Sequence, residues 1–322
     1  MVDLTVVIVS WNVCALLRQC LSSIAGSLAA GSSRSAINAQ IVVVDNGSTD
    51  GSVEMVLAEF PSVQLIINAE NHGFPAANNQ GIRVARGRHV LLLNPDTEVV
   101  GDALSALVAY ADAHPDVGMV GPQLLNADRS VQSSRRRFPT KATAFFESTW
   151  LQPYAPRRVL ARYEMLDQPD DVVQEVDWLY GAAFLARREA IEQVGPMDEG
   201  YFMYSEELDW CRRFHEACWR VAYVPAAQIV HHGGKSSEQV VTARHIHFQT
   251  SKVRYFRKYH GRLFASVLRW FLLGTYAWQL GLEGAKWLLG HKRSLRAERI
   301  AAYRRVLRSG LQSKEPAMAN PR

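Results

Sequence analysis

The chain has 322 residues, 48% of them hydrophobic, 21% charged and 10% aromatic. That is an ordinary globular profile, long enough for one large domain or two small ones, and it excludes a disordered, collagenous or disulfide-scaffold protein. Thirty-six Lys and Arg against 31 Asp and Glu leave a formal net charge of +5, a figure that does not say where the charge sits. The four cysteines, Cys14, Cys20, Cys211 and Cys218, form no CxxC pair. No zinc ribbon or thioredoxin-like site is written here, and a reduced, cytoplasmic chain is the expectation. The start, MVDLTVVIVSWN, lacks a basic n-region and a small-residue cleavage site and does not read as a signal peptide.

Leu4 to Val9 is a continuous apolar, β-branched run, as a strand buried on both faces requires. A helical stretch through Leu17, Leu21 and Ile24 follows, closed by a Gly/Ser-rich link at Gly31 to Ser35. The pattern recurs: strand Ile41–Val44, helix from about Ser52 to Phe60, strand Val63–Ile67, helix Pro75–Arg86, strand Val90–Leu93, helix from about Asp102 to His114, strand Val117–Val120. Strands alternating with helices at this spacing predict an α/β fold with a mostly parallel, doubly wound sheet. Further on, Trp178-Leu-Tyr-Gly-Ala-Ala183 precedes an apolar run and a helix at Arg187–Val194, and Arg220–Pro225 and Gln228–Val230 are strand-like.

Ligands of such sheets bind beyond the carboxyl ends of the strands. Those ends carry Ser10-Trp11-Asn12, Asp45-Asn46, Asn68 to Asn71 and Asn94-Pro95-Asp96, so four successive strand ends offer polar side chains to one rim. Any one of them alone reads equally as a turn. GxGxxG and HExxH are absent, and Gly234-Lys235-Ser236 lacks the glycine that a P-loop needs five residues earlier, where Ile229 stands.

These motifs resemble the inverting nucleotide-sugar glycosyltransferases of family 2, which have the GT-A fold. The resemblance covers roughly residues 4 to 237. It rests on Thr5-Val-Val-Ile-Val-Ser-Trp-Asn12, Val44-Asp-Asn-Gly-Ser-Thr-Asp-Gly-Ser52, Asn71-His-Gly-Phe-Pro-Ala-Ala-Asn-Asn-Gln-Gly81, Leu92-Leu-Asn-Pro-Asp-Thr97 and the segment Asp198 to Arg213. The Asn-Pro-Asp variant and Gln132-Ser-Ser-Arg-Arg-Arg-Phe-Pro139 are most similar to bacterial rhamnosyltransferase-like members. The resemblance implies a donor side built from Ser10, Asn12, Asp45, Asn71, Gly73, Asn79, Asn94 and Asp96, and an acceptor side including Trp178, Gly181 and Asp198.

A leaving diphosphate gains charge as the glycosidic bond breaks, and Mg2+ or Mn2+ bound through hard oxygens stabilises it. Asp96 stands where the family's second Asp reaches the metal; the first Asp is replaced by Asn94. Asp45 matches the position that accepts from the nucleobase, and equally reads as a turn carboxylate toward Gly47 and Ser48. A general base must take the acceptor hydroxyl proton. Glu207 aligns with the family's base Asp and is the first choice, with Glu206 and Asp209 close alternatives. His231 or His232 resembles the family's histidine near the diphosphate; which one points inward stays open, because neighbours on a strand face opposite sides. Arg135, Arg136 and Arg137 read either as phosphate-facing or as a solvated loop.

From Ser251 to Arg322 there are sixteen Lys and Arg and three Asp and Glu, a net of +13; the rest of the chain carries −8. The longest uncharged stretch of the apolar segment Leu263–Leu289, Trp270 to Leu282, has thirteen residues, short of the ~20 a spanning helix needs. A basic, aromatic, amphipathic helix pair at the inner face of the cytoplasmic membrane is expected, with a packing or homodimer element as the alternative. The division expected is a GT-A domain at 1–250 (a nucleotide-sugar half, 1–121, and an acceptor half, 122–250), a basic helical region at 251–312 and a disordered tail at 313–322. The partners expected are a nucleotide-sugar donor (dTDP-rhamnose or a UDP-sugar), a lipid-linked glycan acceptor and the membrane. Nucleic acid is not expected, since no RNA-reading module precedes the tail and the body is acidic. The other functional reading is a catalytically impaired nucleotide-sugar-binding or scaffold protein, suggested by Asn94 and by Glu in place of Asp at position 207.

Overall fold

A computed structural model describes residues 2–30, 37–233, 241–290 and 292–312. The Gly/Ser link at 31–35, Gly234 and Ser236 of the histidine motif, and the tail from Ser313 lie outside the described residues. The chain divides into two units. One comprises Met1–Phe138, Ala161–Asp198 and Glu206–Ser236; the other comprises Pro139–Leu160, Glu199–Ser205 and Ser237–Arg322.

The first unit begins with β1 (Leu4–Ser10), α1 (Cys14–Ala30), β2 (Ala39–Asp45), α2 (Ser52–Glu59), β3 (Gln64–Ile67), α3 (Phe74–Val84) and β4 (His89–Leu93). It continues with β5 (Thr97–Val100), α4 (Ala103–Ala113), β6 (Val117–Leu125), β7 (Val131–Gln132) and β8 (Arg135–Arg136). Between β8 and the rest lie α5 (Lys141–Phe146), of the second unit, and α6 (Arg157–Tyr163). The first unit then closes with β9 (Gln174–Glu175), β10 (Trp178–Leu179), β11 (Ala183–Arg187), α7 (Arg188–Val194), α8 (Glu206–Glu216) and β12 (Arg220–His231).

The main sheet runs β3-β2-β1-β4-β11-β6-β12-β5. Strands β1 to β4 run parallel to one another, as the βα alternation predicts, and β12 lies parallel to β6. Two departures were not written in the periodicity. The segment after Tyr180 enters the middle of the sheet as β11, antiparallel to both β4 and β6. Thr97–Val100, four residues past an apparent turn, forms edge strand β5 antiparallel to β12. The strand-like pieces at 220–225 and 228–230 are one strand, bulged between Val224 and Gln228.

Every residue of β1, β4 and β6 is buried, because helices cover both faces. The tightest of these contacts is at Gly81 of α3, where a Cβ would stand 2.3 Å from Val7 Cγ1. The helix therefore sits directly on β1. All four cysteines are thiols; burial pushes Cys20 and Cys211 up to about 12, so these two behave as small apolar residues.

In the second unit, α9 (Val241–His260), α10 (Arg262–Leu288) and α11 (Arg293–Ser309) pack on one another. The basic tail is thus three helices where a pair was expected. They also hold two distant segments. Lys252, buried on α9, places its ammonium 2.6 Å from the Glu147 carbonyl oxygen, Phe145 of α5 packs edge-on against Phe264 and Phe271, and Ser251 donates to the Met203 carbonyl. For that reason the unit takes in 139–160 and 199–205 and does not start at 251. No described helix is long and apolar enough to cross a membrane.

Candidate active site

Strands β1 and β2 end side by side, with Ser10 opposite Asp45 and both buried. One Asp45 oxygen accepts from the Gly47 and Ser48 amides at 3.2 and 2.9 Å, the turn role that the sequence allowed. Its other oxygen and Ser10 Oγ are buried with no hydrogen-bond partner. A buried polar atom left unbonded costs about 1–3 kcal/mol, so two at one strand-end crevice are the signature of a site for a ligand that donates N–H or O–H.

The neighbouring asparagines do structural work. Asn12, at φ 53, donates its amide N–H to Ser48 Oγ and accepts from the Thr49 amide, tying β1's end to the loop after β2. Asn71 Oδ1 accepts from Asn46 Nδ2 and from the Gly73 amide, both at 2.9 Å, which fixes Gly73 at φ 88 ahead of α3. Asn79, read as donor-facing, spends both ends of its amide on the Met197 backbone at 2.9 and 3.0 Å. Buried on an inward turn of α3, it pins a chain segment 118 residues away.

Beyond β4, Asn94 donates its backbone N–H to Ala182 while its side-chain oxygen is buried without a partner. Pairing of β5 with β12 sets Thr97 opposite His231 and decides between the two histidines. His231 is buried with Nε2 3.5 Å from Asp96 Oδ1; half-buried His232 turns away to Glu98 at 2.7 Å. His231 Nδ1 lies 2.7 Å from Gln132 Oε1, and Gln132 Nε2 donates to Asn126 Oδ1. This chain of amides directs an acceptor at Nδ1, so Nδ1 donates to Gln132 and Nε2 is the nitrogen that faces Asp96. Nε2 has no hydrogen-bond partner. A buried imidazole nitrogen facing a carboxylate oxygen at that distance fits a divalent cation. Among the described residues no three His, Cys, Asp or Glu side chains converge on one point, so such a cation would draw its other ligands from substrate and water.

The acids of α8 separate into different roles. Asp209 is fully buried and pairs with Arg213 Nε at 3.0 Å; Arg213 also donates to the carbonyls of Val194 and Pro196. It is the anchor of a structural ion pair. Glu206 is buried, and burial first, then the charges of Glu207 and Asp209, hold its carboxyl well above the usual 4.5. Glu207 lies beside Gly181, where a Cβ would come within 3.1 Å of Glu207 Oε1. Gly181 thus makes room for the carboxylate. Tyr204 and Ser205, just before the helix, both hold left-handed backbone at φ 71 and 65, a strain of about 1–3 kcal/mol each that tends to collect at functional sites.

Two side chains weighed as ligand-facing are engaged within the protein. The Trp178 indole donates to the Arg137 carbonyl, so this ring is a strut. Arg135 is buried over the Tyr223 ring and donates to the Pro169 carbonyl and to Gln174 Oε1, which removes it from any phosphate. Asp198 lies half-buried in the loop after Met197. Strand β5 went unrecognised, because the alternation in Thr97–Val100 is too short to register; Gln132 opens the motif Gln132–Pro139, but nothing in sequence joins it to a histidine 99 residues on.

The "Glycosyl transferase family 2" model matches residues 5–195. An N-acetylglucosaminyl-diphospho-decaprenol L-rhamnosyltransferase of Mycobacterium tuberculosis (strain CDC 1551 / Oshkosh) is 30% identical over 248 residues, covering 74% of this chain and 80% of that protein. Rhamnosyltransferase WbbL of Escherichia coli (strain K12) is 30% identical over 132 residues, 37% of this chain and 50% of that protein. Among solved structures, that of GalNAc-T7 with UDP, GalNAc and Mn2+ matches at a TM-score of 0.56 and 16% identity, covering 80% of this chain and 48% of that one; it speaks for a GT-A-like fold. The chain belongs to glycosyltransferase family 2. It is a glycosyltransferase, similar to the rhamnosyltransferases of that family.

Proposed function

We propose that the protein transfers a sugar, with rhamnose the leading candidate, from a nucleoside diphosphate to a hydroxyl of a lipid-linked glycan, with inversion, in cell-envelope glycan synthesis at the inner face of the cytoplasmic membrane. The observation that carries the reading is the Asp96–His231 pair, facing each other at 3.5 Å. The name of the mycobacterial relative, which is 30% identical, supports the lipid-linked acceptor.

Ser10 and Asp45 would receive the nucleoside at the ends of β1 and β2, the buried Asp45 oxygen accepting an N–H. Asp96 and His231 would hold Mg2+ or Mn2+ beside the diphosphate. Such an ion, when bound, neutralises charge gathering on the leaving group. Asn94 contacts the donor without adding a negative charge to it. Glu207 is the general base: it takes the proton of the acceptor hydroxyl as that oxygen attacks the anomeric carbon from the face opposite the diphosphate. Burial and the charge of the adjacent Glu207 hold the Glu206 carboxyl well above 4.5, which sets it apart from the base.

Purified protein incubated with dTDP-rhamnose, UDP-hexoses or GDP-mannose, Mg2+ or Mn2+ and a lipid-linked acceptor should release a nucleoside diphosphate with one of the donors. Asp96→Ala should remove turnover, and Glu207→Gln should lower kcat by about 10²–10⁴ with donor affinity kept. Release from no donor, or full activity in either variant, overturns the assignment.

A further inference from the structure

The helical unit contains a cavity of about 550 Å³ that the transfer chemistry does not use. Arg254 and Arg257 of α9 and Arg262 and Arg269 of α10 line it, with Thr250 as a hydroxyl donor and Ser266 donating to the Arg262 carbonyl. Among the described residues no acid lines it. Spacings of three, four and seven place each helix's contribution on one face, with the Arg254 guanidinium over the Tyr201 ring and Arg269 Nε donating to the Gly310 carbonyl. Guanidinium donors match phosphate oxygens in geometry as well as charge.

Beside the cavity lies an uncharged surface. At about 100° per residue, Leu263, Val267, Trp270, Trp278 and Leu288 share one side of α10, next to the side bearing Arg262, Ser266 and Arg269. Leu263 is 82% exposed, Trp270 66% and Trp278 67%. Gly274 and Gly281, on the same side, face open space. The four charged residues of the helix, Arg262, Arg269, Glu283 and Lys286, all fall off this side. Arg269 joins the two features: it lines the cavity, and its guanidinium sits over the Trp270 ring, 5.3 Å from the centroid.

We propose that this unit binds the membrane through a phosphate-bearing lipid headgroup. The headgroup enters the arginine-lined cavity, and the tryptophan stripe of α10 lies in the apolar edge of the leaflet. A face that is apolar along a helix of 27 residues, about 40 Å, and bordered by guanidinia is the pattern of a helix lying in an anionic membrane surface. The inference deepens the membrane location of the proposed function and stands on the helical unit alone, so it survives or falls separately from the transfer reaction.

The test is flotation of the full chain with phosphatidylcholine vesicles, with and without phosphatidylglycerol or a prenyl diphosphate at equal surface charge. Wild type should partition at least tenfold more to either phosphate-charged vesicle than to phosphatidylcholine. Arg257→Gln/Arg262→Gln, both exposed, should lose that tenfold while keeping the wild-type circular dichroism spectrum. Arg304→Gln/Arg305→Gln, equally exposed on α11 and outside the cavity, removes the same charge and should lose less than threefold. Trp270→Ala/Trp278→Ala should weaken binding to all vesicles. Equal losses in the two arginine pairs would mean a diffuse field and overturn the cavity. So would tight inorganic pyrophosphate binding without vesicle binding, which marks a soluble anion site, or a dimer in ultracentrifugation that Trp270→Ala/Trp278→Ala dissolves. Nucleoside diphosphate release assayed on the same variants separates this failure from failure of the transferase reading.

Discussion

Three acids at the start of α8 were interchangeable as letters and are not interchangeable in place. Burial and the charge of Glu207 hold the Glu206 carboxyl above 4.5, so the folded chain keeps a proton there that the unfolded chain sheds. The contribution of Glu206 to stability is then complete below about pH 4.5 and is lost as pH rises toward the folded value. Glu206→Gln, which mimics the protonated acid, should melt with wild type near pH 4 and above it at about pH 8, keeping most of kcat; a Tm difference that ignores pH would contradict this. Asp209→Asn strips Arg213 of its buried counter-charge and should cost on the order of 3 kcal/mol in urea unfolding, with donor affinity unchanged. Residue types and order brought Asp45, Asp96, Asn79 and Glu207 to notice, but not the backbone bonds of Asn79 and Arg135, because a side chain that pins distant backbone looks, in sequence, like one that awaits a ligand.

At the scale of elements, the βα alternation made strands β1 to β4 and their helices legible, since buried parallel strands are unbroken apolar runs. Edge strand β5 was not, although its register against β12 turns His231 toward Asp96 and His232 toward Glu98. Two-residue β7 contributes Gln132, which holds the far nitrogen of His231. Gln132→Leu should therefore raise the Mn2+ concentration needed for half-maximal activity by about 10–100-fold while sparing kcat at saturating metal. An unchanged metal requirement would show that the glutamine merely fills space.

Across the whole molecule, the net charge of +5 resolves into an acidic body and a basic tail. That division was visible by counting, but the segments that join the tail were not. Pro139–Leu160 and Glu199–Ser205 belong to the helical unit through contacts such as Lys252 with Glu147, and pairings over a hundred residues apart leave no periodic trace. Strand β11 is a similar case, with a consequence for how the protein is made. It fills the centre of the sheet, yet it is nearly the last of the strands in chain order. A ribosome that has released the first 121 residues has released β4 with a bare edge, and no local pairing covers it before residue 187 emerges. The fold is therefore one of high contact order, slow to close and exposed to strand-edge association while it waits. A fragment of residues 1–121 should self-associate in gel filtration and unfold in urea without a cooperative transition; a monomer with a sharp transition would show that the parallel half stands alone.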